Sequence, residues 1–191
     1  MPVVAFIGGE SGTGKTRLAQ ELASLCSGCV LVDKDPSTWA LAECLLLSMD
    51  KPRHDRNSKT YLTKVRPFEY ATLNSLLEEN LPFNHHLVVA APFLQEIPNP
   101  DWVAGTAANL ASRYQAESIF IWLHCEEAVA KARIFERSAI RDLSKMHDWE
   151  AYASAIVEPP RDQPGVLCLD SSKPDFVEQI VHKVLPLWKP T

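Results

Sequence analysis

A chain of 191 residues with 46% hydrophobic content can bury one good core, so a single domain over residues 1–191 is expected and two large domains are not. Its formal net charge is −5 with the basic residues dispersed, which speaks against a binding face for long nucleic acids and favours a small substrate. No basic leader precedes the first apolar run and no apolar stretch reaches membrane-spanning length, so a cytoplasmic protein with no membrane partner is expected. Five cysteines are an odd number. Cys44, Cys125 and Cys168 fall in apparent core elements, as reduced thiols of a cytosolic protein would. Cys26 and Cys29 make one C-x-x-C pair without a second pair or a histidine cluster, which reads as a helix end meeting a strand start before it reads as a zinc or redox site.

The first element is the apolar run Val3-Val4-Ala5-Phe6-Ile7, a buried strand. Directly after it, Gly9-Glu10-Ser11-Gly12-Thr13-Gly14-Lys15-Thr16 fits G-x-x-x-x-G-K-[ST]. In that position the pattern is a phosphate cradle: glycines let successive backbone N–H groups point at phosphate oxygens, and the following helix adds its N-terminal partial charge. Lys15 is placed to neutralise the β- and γ-phosphates and Thr16 to ligate Mg²⁺. A helix follows from Lys15 to Cys26 with Leu18, Leu22 and Leu25 at helical spacing. The second strand, Cys29 to Val32, ends in Asp33-Lys34-Asp35-Pro36.

Two helical stretches come next, Pro36 to Met49 and Lys59 to Asn80, separated by a polar loop from Lys51 to Asn57. Together residues 36–80 are read as a helical substrate-binding insertion beside the carboxyl ends of the strands, where open α/β sheets bind ligands. The third strand runs from His86 to Ala91, followed by a proline-rich loop to Pro100 and a helix from Trp102 to Tyr114. A fourth strand, Ser118 to Leu123, feeds a helix from Glu126 to Arg137, and the charged residues 137–148 are read as a lid. The fifth strand is Val166 to Leu169, with a last helix after Pro174. Alternating strand and helix predicts an α/β fold, a parallel sheet covered on both faces.

The third strand ends Ala90-Ala91-Pro92 without a carboxylate, so an acid near the γ-phosphate must come from Asp33 and Asp35, which the topology brings to the same edge of the sheet as the phosphate loop. The competing reading of Asp35-Pro36 is helix capping, and Lys34 between the acids reads as solvated. Arg133 and Arg137 are one helical turn apart and Arg141 follows. Arg137 and Arg141 are the better candidates for lid guanidinium groups that close over a bound triphosphate; the competing reading pairs Arg133 and Arg137 with Glu126, Glu136 or Asp142 on a solvated face. Asp142 and Lys145 are read as braces.

For the acceptor pocket, His54, Arg56, Arg66 and Tyr70 offer hydrogen bonds and stacking, although a polar loop and a helix surface hold such residues anyway. His85 and His86 are given no chemistry, and Trp39, Trp102 and Trp122 are read as packing. Asp170-Ser171-Ser172 lies where adenine is often held in this fold class.

The phosphate loop, the D-x-D placement of Asp33 and Asp35, and the arginine-bearing segment after the fourth strand make the chain resemble the small P-loop kinases of hydroxyl groups: chloramphenicol phosphotransferase, gluconate kinase, adenylylsulfate kinase, polynucleotide kinase and the zeta-toxin group. The resemblance implies the P-loop NTPase fold with a five-stranded parallel sheet, ATP and Mg²⁺ as cofactors, Asp35 as acceptor of the hydroxyl proton, and Asp33 as holder of Mg²⁺ through water. Ala90-Ala91, where some relatives place an acid, departs from the pattern. The expected function is transfer of the γ-phosphoryl group to a hydroxyl of a small molecule: a metabolite, nucleotide-sugar or antibiotic. The alternatives are an ATP-dependent switch or binding module without an acceptor, and a kinase of a nucleotide or tRNA end. The N-K-x-D guanine reader of switch GTPases is missing, yet the choice between ATP and GTP stays open, as do the acceptor and whether the protein is a monomer or a homodimer.

Overall fold

Every residue of β1 (Val3–Gly9) is buried, with Val4 and Phe6 entering one core and Val3, Ala5 and Ile7 the other. That is the signature of a central parallel strand with helices on both sides. The computed structural model describes residues 1–173, 175–184 and 186. Its sheet has five parallel strands in the order β2-β3-β1-β4-β5: β2 is Val30–Asp33, β3 Leu87–Ala90, β4 Glu117–His124 and β5 Val166–Asp170. The α/β P-loop NTPase architecture read from the sequence is the one observed. On one face α1 (Lys15–Leu25) buries Leu18 and Leu22, and α8 (Phe176–Val184) buries Phe176 and Ile180. On the other, α3 (Arg66–Asn80) contributes Leu73 and Leu77, and α4 (Pro100–Tyr114) contributes Val103 and Leu110. Pro174, from which the last helix was counted, lies outside the described residues.

The segments that frame the cleft depart from expectation in informative ways. Helix α2 (Lys34–Ser48) starts two residues early because Asp33, and not Asp35, is its cap: Asp33 Oδ1 accepts from the Asp35 N–H at 3.1 Å. A π-turn at Tyr61–Val65 leads into α3. After α5 (Glu127–Arg137), the charged segment forms a 3-10 turn at Ile140–Asp142 and α6 (Leu143–His147), and then α7 (Trp149–Ser154), which sequence reading missed because no apolar stripe marks so short a helix.

Three packing assignments change. Trp39 is 52% exposed, Leu25 also faces outward, and Cys44 is exposed. Helix α2 is apolar around its circumference, so periodicity could not tell that Thr38, Ala42 and Leu46 face inward while Trp39, Leu41 and Leu47 do not. Trp122 is buried, and Trp102 packs edge-on against Phe6 and Phe120, as expected of core aromatics.

Candidate active site

The phosphate loop is shaped by backbone contacts that only glycine permits. Gly9 has φ +132°, and a Cβ there would meet the Leu123 carbonyl oxygen at 2.1 Å; Gly12 has φ +83°, and its Cβ would meet the Ala130 carbonyl oxygen at 2.8 Å. The Gly9 N–H donates to the Pro92 carbonyl at 2.9 Å, locking the loop to the end of β3. The cleft is lined by Glu10, Ser11, Gly12, Gly14, Lys15 and Thr16. Thr13 is turned away: its buried hydroxyl donates to the Glu10 carbonyl at 2.8 Å, and it fixes the loop from beneath. Lys15 Nζ donates to the same carbonyl at 2.7 Å. Burial lowers the Lys15 ammonium from 10.5 to about 8, with Glu10 and Asp35 pulling it back and Lys145 and Arg137 adding to the depression.

Both aspartates lie at this edge of the sheet, in different roles. Asp33 Oδ2 accepts from the Thr16 hydroxyl at 3.1 Å, and burial raises its carboxyl against the backbone bond from Asp35. For Asp35, burial also pushes upward, but Lys34 and Arg141 outweigh it and hold the carboxyl below its usual value. Lys34 Nζ is 3.3 Å from Asp35 Oδ1, and Arg141 pairs with Asp35 Oδ2.

Lys34 is not solvated as its sequence context implied. It is 4% exposed and donates to Glu69 Oε1 at 3.1 Å. Glu69, equally buried, also accepts from the Thr38 hydroxyl at 3.1 Å and the Tyr61 hydroxyl at 2.6 Å. A buried carboxylate with three donors is a satisfied hub. Sequence reasoning missed it, although a trace was present: Glu69, Leu73 and Leu77 form the buried stripe of α3, so an acid occupies an apolar face.

The three arginines that follow β4 are held in three different ways. Arg133 Nη1 and Nη2 donate to the Gly12 carbonyl at 3.2 Å and the Ser171 carbonyl at 2.9 Å, tying the phosphate loop to the turn after β5. Arg137 donates to Asp142 Oδ2 at 2.6 Å, the pairing that the competing reading foresaw, with Asp142 wholly buried and Arg137 itself 39% exposed. Arg141 alone reaches across the cleft to Asp35. Lys145 braces Asp142 at 2.9 Å as expected, and its Nζ also donates to Ser11 Oγ at 2.8 Å, a contact with the phosphate loop that the sequence did not announce. From α7, Tyr152 donates to Glu10 Oε2 at 3.3 Å, and the Val157 N–H donates to Oε1 at 3.1 Å.

One cleft of about 740 Å³ joins the phosphate loop, both aspartates, Arg133, Arg137, Arg141 and residues of the segment expected to bind an acceptor. Arg56 and Arg66 line it, together with Asn57, Tyr61 and Gln95, and Ala90-Ala91-Pro92 form its floor. His54 is not among the lining residues. Neither is Tyr70, which lies behind Arg66: the guanidinium carbon is 4.2 Å from the Tyr70 ring centroid, and Arg66 Nη2 donates to Glu96 at 2.7 Å. Both are corrections to the acceptor set; the i, i+4 spacing of Arg66 and Tyr70 on α3 makes the tyrosine a shelf for the arginine. Asp170, Ser171 and Ser172 do not line the cleft. Ser171 is buried against Arg133, and Ser172 Oγ accepts from the Glu126 N–H at 2.8 Å.

Among the described residues no cluster of three or more His, Cys, Asp or Glu could cage a metal. The Thr16 hydroxyl and Asp33 carboxylate are hard oxygen donors in contact, which suits Mg²⁺, an ion that keeps much of its shell in water and phosphate. Cys26 and Cys29 are free thiols, and burial pushes Cys29 up to about 12, so the pair supplies no thiolate at neutral pH. No described helix is long and apolar enough to cross a membrane.

A protein-family model described as an AAA domain matches residues 4–159. No curated relative matches the chain. Among solved structures, a gluconokinase from Sinorhizobium meliloti superposes with a TM-score of 0.58 at 16% identity, over 97% of this chain and 93% of that one. A sugar kinase from Janibacter gives 0.61 at 14% identity over 100% and 99% of the two chains. The APS kinase of Mycobacterium tuberculosis, solved with AMPPNP and APS, gives 0.56 at 14% over 97% and 96%. The likeness at these identities is one of fold, and with the family match it bears out the resemblance drawn from Gly9 to Thr16.

Proposed function

We propose that this chain, which belongs to the AAA domain family, is an ATP-dependent kinase that transfers the γ-phosphoryl group to a hydroxyl of a small molecule. The observation that carries the reading is the shared cleft: the phosphate-loop lysine and a partnered, ionised carboxylate, Asp35, line one cavity with space beyond the carboxylate for an acceptor. A nucleotide switch needs the first half of that arrangement and has no use for the second.

In this reading the loop backbone and Lys15 hold the β- and γ-phosphates. Thr16 and Asp33 would hold Mg²⁺, which when bound supplies charge neutralisation between the phosphates. Asp35 orients the acceptor hydroxyl and takes its proton late in the transfer, a task for which an ordinary or lowered carboxylate pKa suffices. Arg141, now resting on Asp35, turns to the transferring group when nucleotide enters, which uncovers the base as it supplies positive charge. Residues 137–148 are the lid, and Arg137, fixed by Asp142, gives it a rigid edge. The free cysteines and the use of ATP suit a cytoplasmic setting.

The test is acceptor-stimulated release of ADP across a panel of hydroxyl-bearing metabolites, nucleotide-sugars and antibiotics. Strong stimulation by one chemical class is expected. Nucleotide hydrolysis that no compound stimulates would favour a switch.

A further inference from the structure

The acceptor side of the cleft contains an arginine whose charge the protein does not match. Among the described residues Arg66 faces Glu96, Arg137 faces Asp142 and Arg141 faces Asp35, whereas no carboxylate lies within ion-pair distance of Arg56. The partners of Arg56 are the Tyr61 ring, 5.3 Å from the guanidinium carbon, and the Asp55 carbonyl, 3.3 Å from Nη1. One weak carbonyl bond leaves most of a five-donor fork unused. The group is half-buried and lines the same cavity as Asp35. Arg17 and Arg133 also lack a carboxylate, but Arg17 follows the phosphate loop directly in sequence and Arg133 donates to its Gly12 carbonyl, so both belong to the nucleotide end.

The position of Arg56 relative to the base is built into the fold. Its guanidinium lies over Tyr61, the Tyr61 hydroxyl donates to Glu69 at 2.6 Å, Glu69 holds Lys34 at 3.1 Å, and Lys34 stands 3.3 Å from Asp35. Tyr61, Glu69 and Lys34 are all buried. A chain of packed and hydrogen-bonded groups therefore runs from the base to the unmatched cation, and the neutral donors Asn57 and Gln95 line the same cavity.

We propose that the acceptor is an anionic hydroxy compound, a carboxylate or a phosphate monoester, whose charged oxygens bind Arg56 while its hydroxyl meets Asp35. The proposal rests on the kinase reading and names its substrate class. A planar guanidinium matches the two oxygens of a carboxylate or phosphate in a fork that a neutral polyol cannot fill. A half-desolvated cation left unmatched by a neutral compound discriminates against that compound more strongly than an added apolar contact would favour it.

Two measurements test it. In the first, the arginine Nε–Hε resonances of ¹⁵N-labelled protein saturated with Mg²⁺ and a non-hydrolysable ATP analogue are followed while tartrate, glycerol 1-phosphate or neutral erythritol is added; the Arg56 signal is assigned by its loss in Arg56→Gln. One or both anions should move the Arg56 signal and erythritol should not, and the anion that acts tells carboxylate from phosphate. If erythritol moves it equally, or if neither anion moves it, the proposal is overturned. In the second, ADP release is compared for matched pairs: sugar acid against sugar alcohol, and sugar phosphate against sugar. The anionic member should lead in kcat/KM by about 10- to 100-fold, the scale of a charge-assisted hydrogen bond, and Arg56→Gln should erase the preference through KM while Arg56→Lys restores part of it. A neutral member that matches or exceeds its anionic partner overturns the proposal. If no compound stimulates ADP release while Arg56 still reports the anions, the kinase reading is what fails and the anion subsite stands.

Discussion

Lys15 and Asp35 line the same cleft, but the fold positions them by different means. Lys15 sits at the first position of α1, at the end of a loop whose path is set by glycine dihedrals, by the Gly9-to-Pro92 backbone bond and by the buried Thr13 hydroxyl. Asp35 is held by side chains: Lys34 below it, Glu69 behind Lys34, and Tyr61 and Thr38 around Glu69. A site placed by backbone can lose a functional group without losing its shape. A site placed by a buried polar hub cannot, because each group removed leaves a partner unpaired in low dielectric.

The largest effect expected from this contrast is on the loop side, in activity alone. Lys15→Ala should lower phosphoryl transfer by about 10³-fold or more, as loss of a cation at the transferred phosphate does. The melting temperature should hold or rise slightly, since a desolvated ammonium is removed. ADP release and thermal unfolding measured on one preparation check this; a Lys15→Ala protein that melts many degrees lower would show that the loop, too, leans on its side chains.

Glu69→Ala attacks the other side. It leaves the Lys34 ammonium buried with only Asp35 at 3.3 Å, and strands the Tyr61 hydroxyl, while the Thr38 hydroxyl keeps the Lys34 carbonyl at 2.7 Å. Breaking one half of a buried pair costs about 3–5 kcal/mol, which denaturant titration will read, and activity should fall with stability. A Glu69→Ala protein of native stability would mean that the hub is looser than its three donors imply.

Between these limits lies Asp35→Asn, which keeps the shape of the side chain and leaves the Asp33 cap in place. The expected loss is about 100-fold in kcat, with ATP affinity within a factor of a few, since the contact with the hydroxyl is made at the acceptor. Should Asp35→Asn turn over normally while Asp33→Asn does not, the two carboxylates exchange roles.

The same contrast explains what the sequence could tell. A phosphate loop is legible because its geometry is encoded by residues adjacent in the chain, and the parallel sheet is legible because each strand declares itself by a local apolar run. Asp33 and Asp35 were found by their place after β2, but which of them caps α2 was not, since D-x-D offers either acid to the helix and only the backbone conformation chooses. Lys34, Glu69 and Tyr61 meet across separations of 35 and 8 residues, and no local pattern predicts that a lysine between two aspartates turns inward to an acid one helix away. His54 and Tyr70 failed as pocket residues for a related reason: a loop or helix position fixes neighbours in sequence and leaves direction to the tertiary packing. Arg56 and Arg66 were named together, and only the structure separates the one held by Glu96 from the one without an acid.

The smallest effect concerns the proton on Lys15, and it has opposite signs for binding and for stability. In the free protein burial lowers this group to about 8 from its ordinary 10.5. The charged form binds triphosphate, so nucleotide affinity should be flat in this group's contribution below pH 8 and fall as pH rises through it. By pH 9 about one lysine in ten retains its proton, a loss of about tenfold, and binding near pH 8 should take up a proton from the buffer. Stability runs the other way. Between about 8 and 10.5 the unfolded chain still holds a proton that the folded chain has released, so this group makes the ligand-free protein more stable with rising pH, the reverse of the usual gain from a paired lysine. Calorimetry of ATP binding at pH 7, 8 and 9 in two buffers of different ionisation enthalpy reads the uptake, and Lys15→Met, which cannot titrate, should remove it along with the slope. Affinity that stays level to pH 9 in the wild-type chain, with no buffer-dependent heat, would mean that the loop keeps its ammonium fully charged without nucleotide, and that backbone placement costs Lys15 none of its hydration.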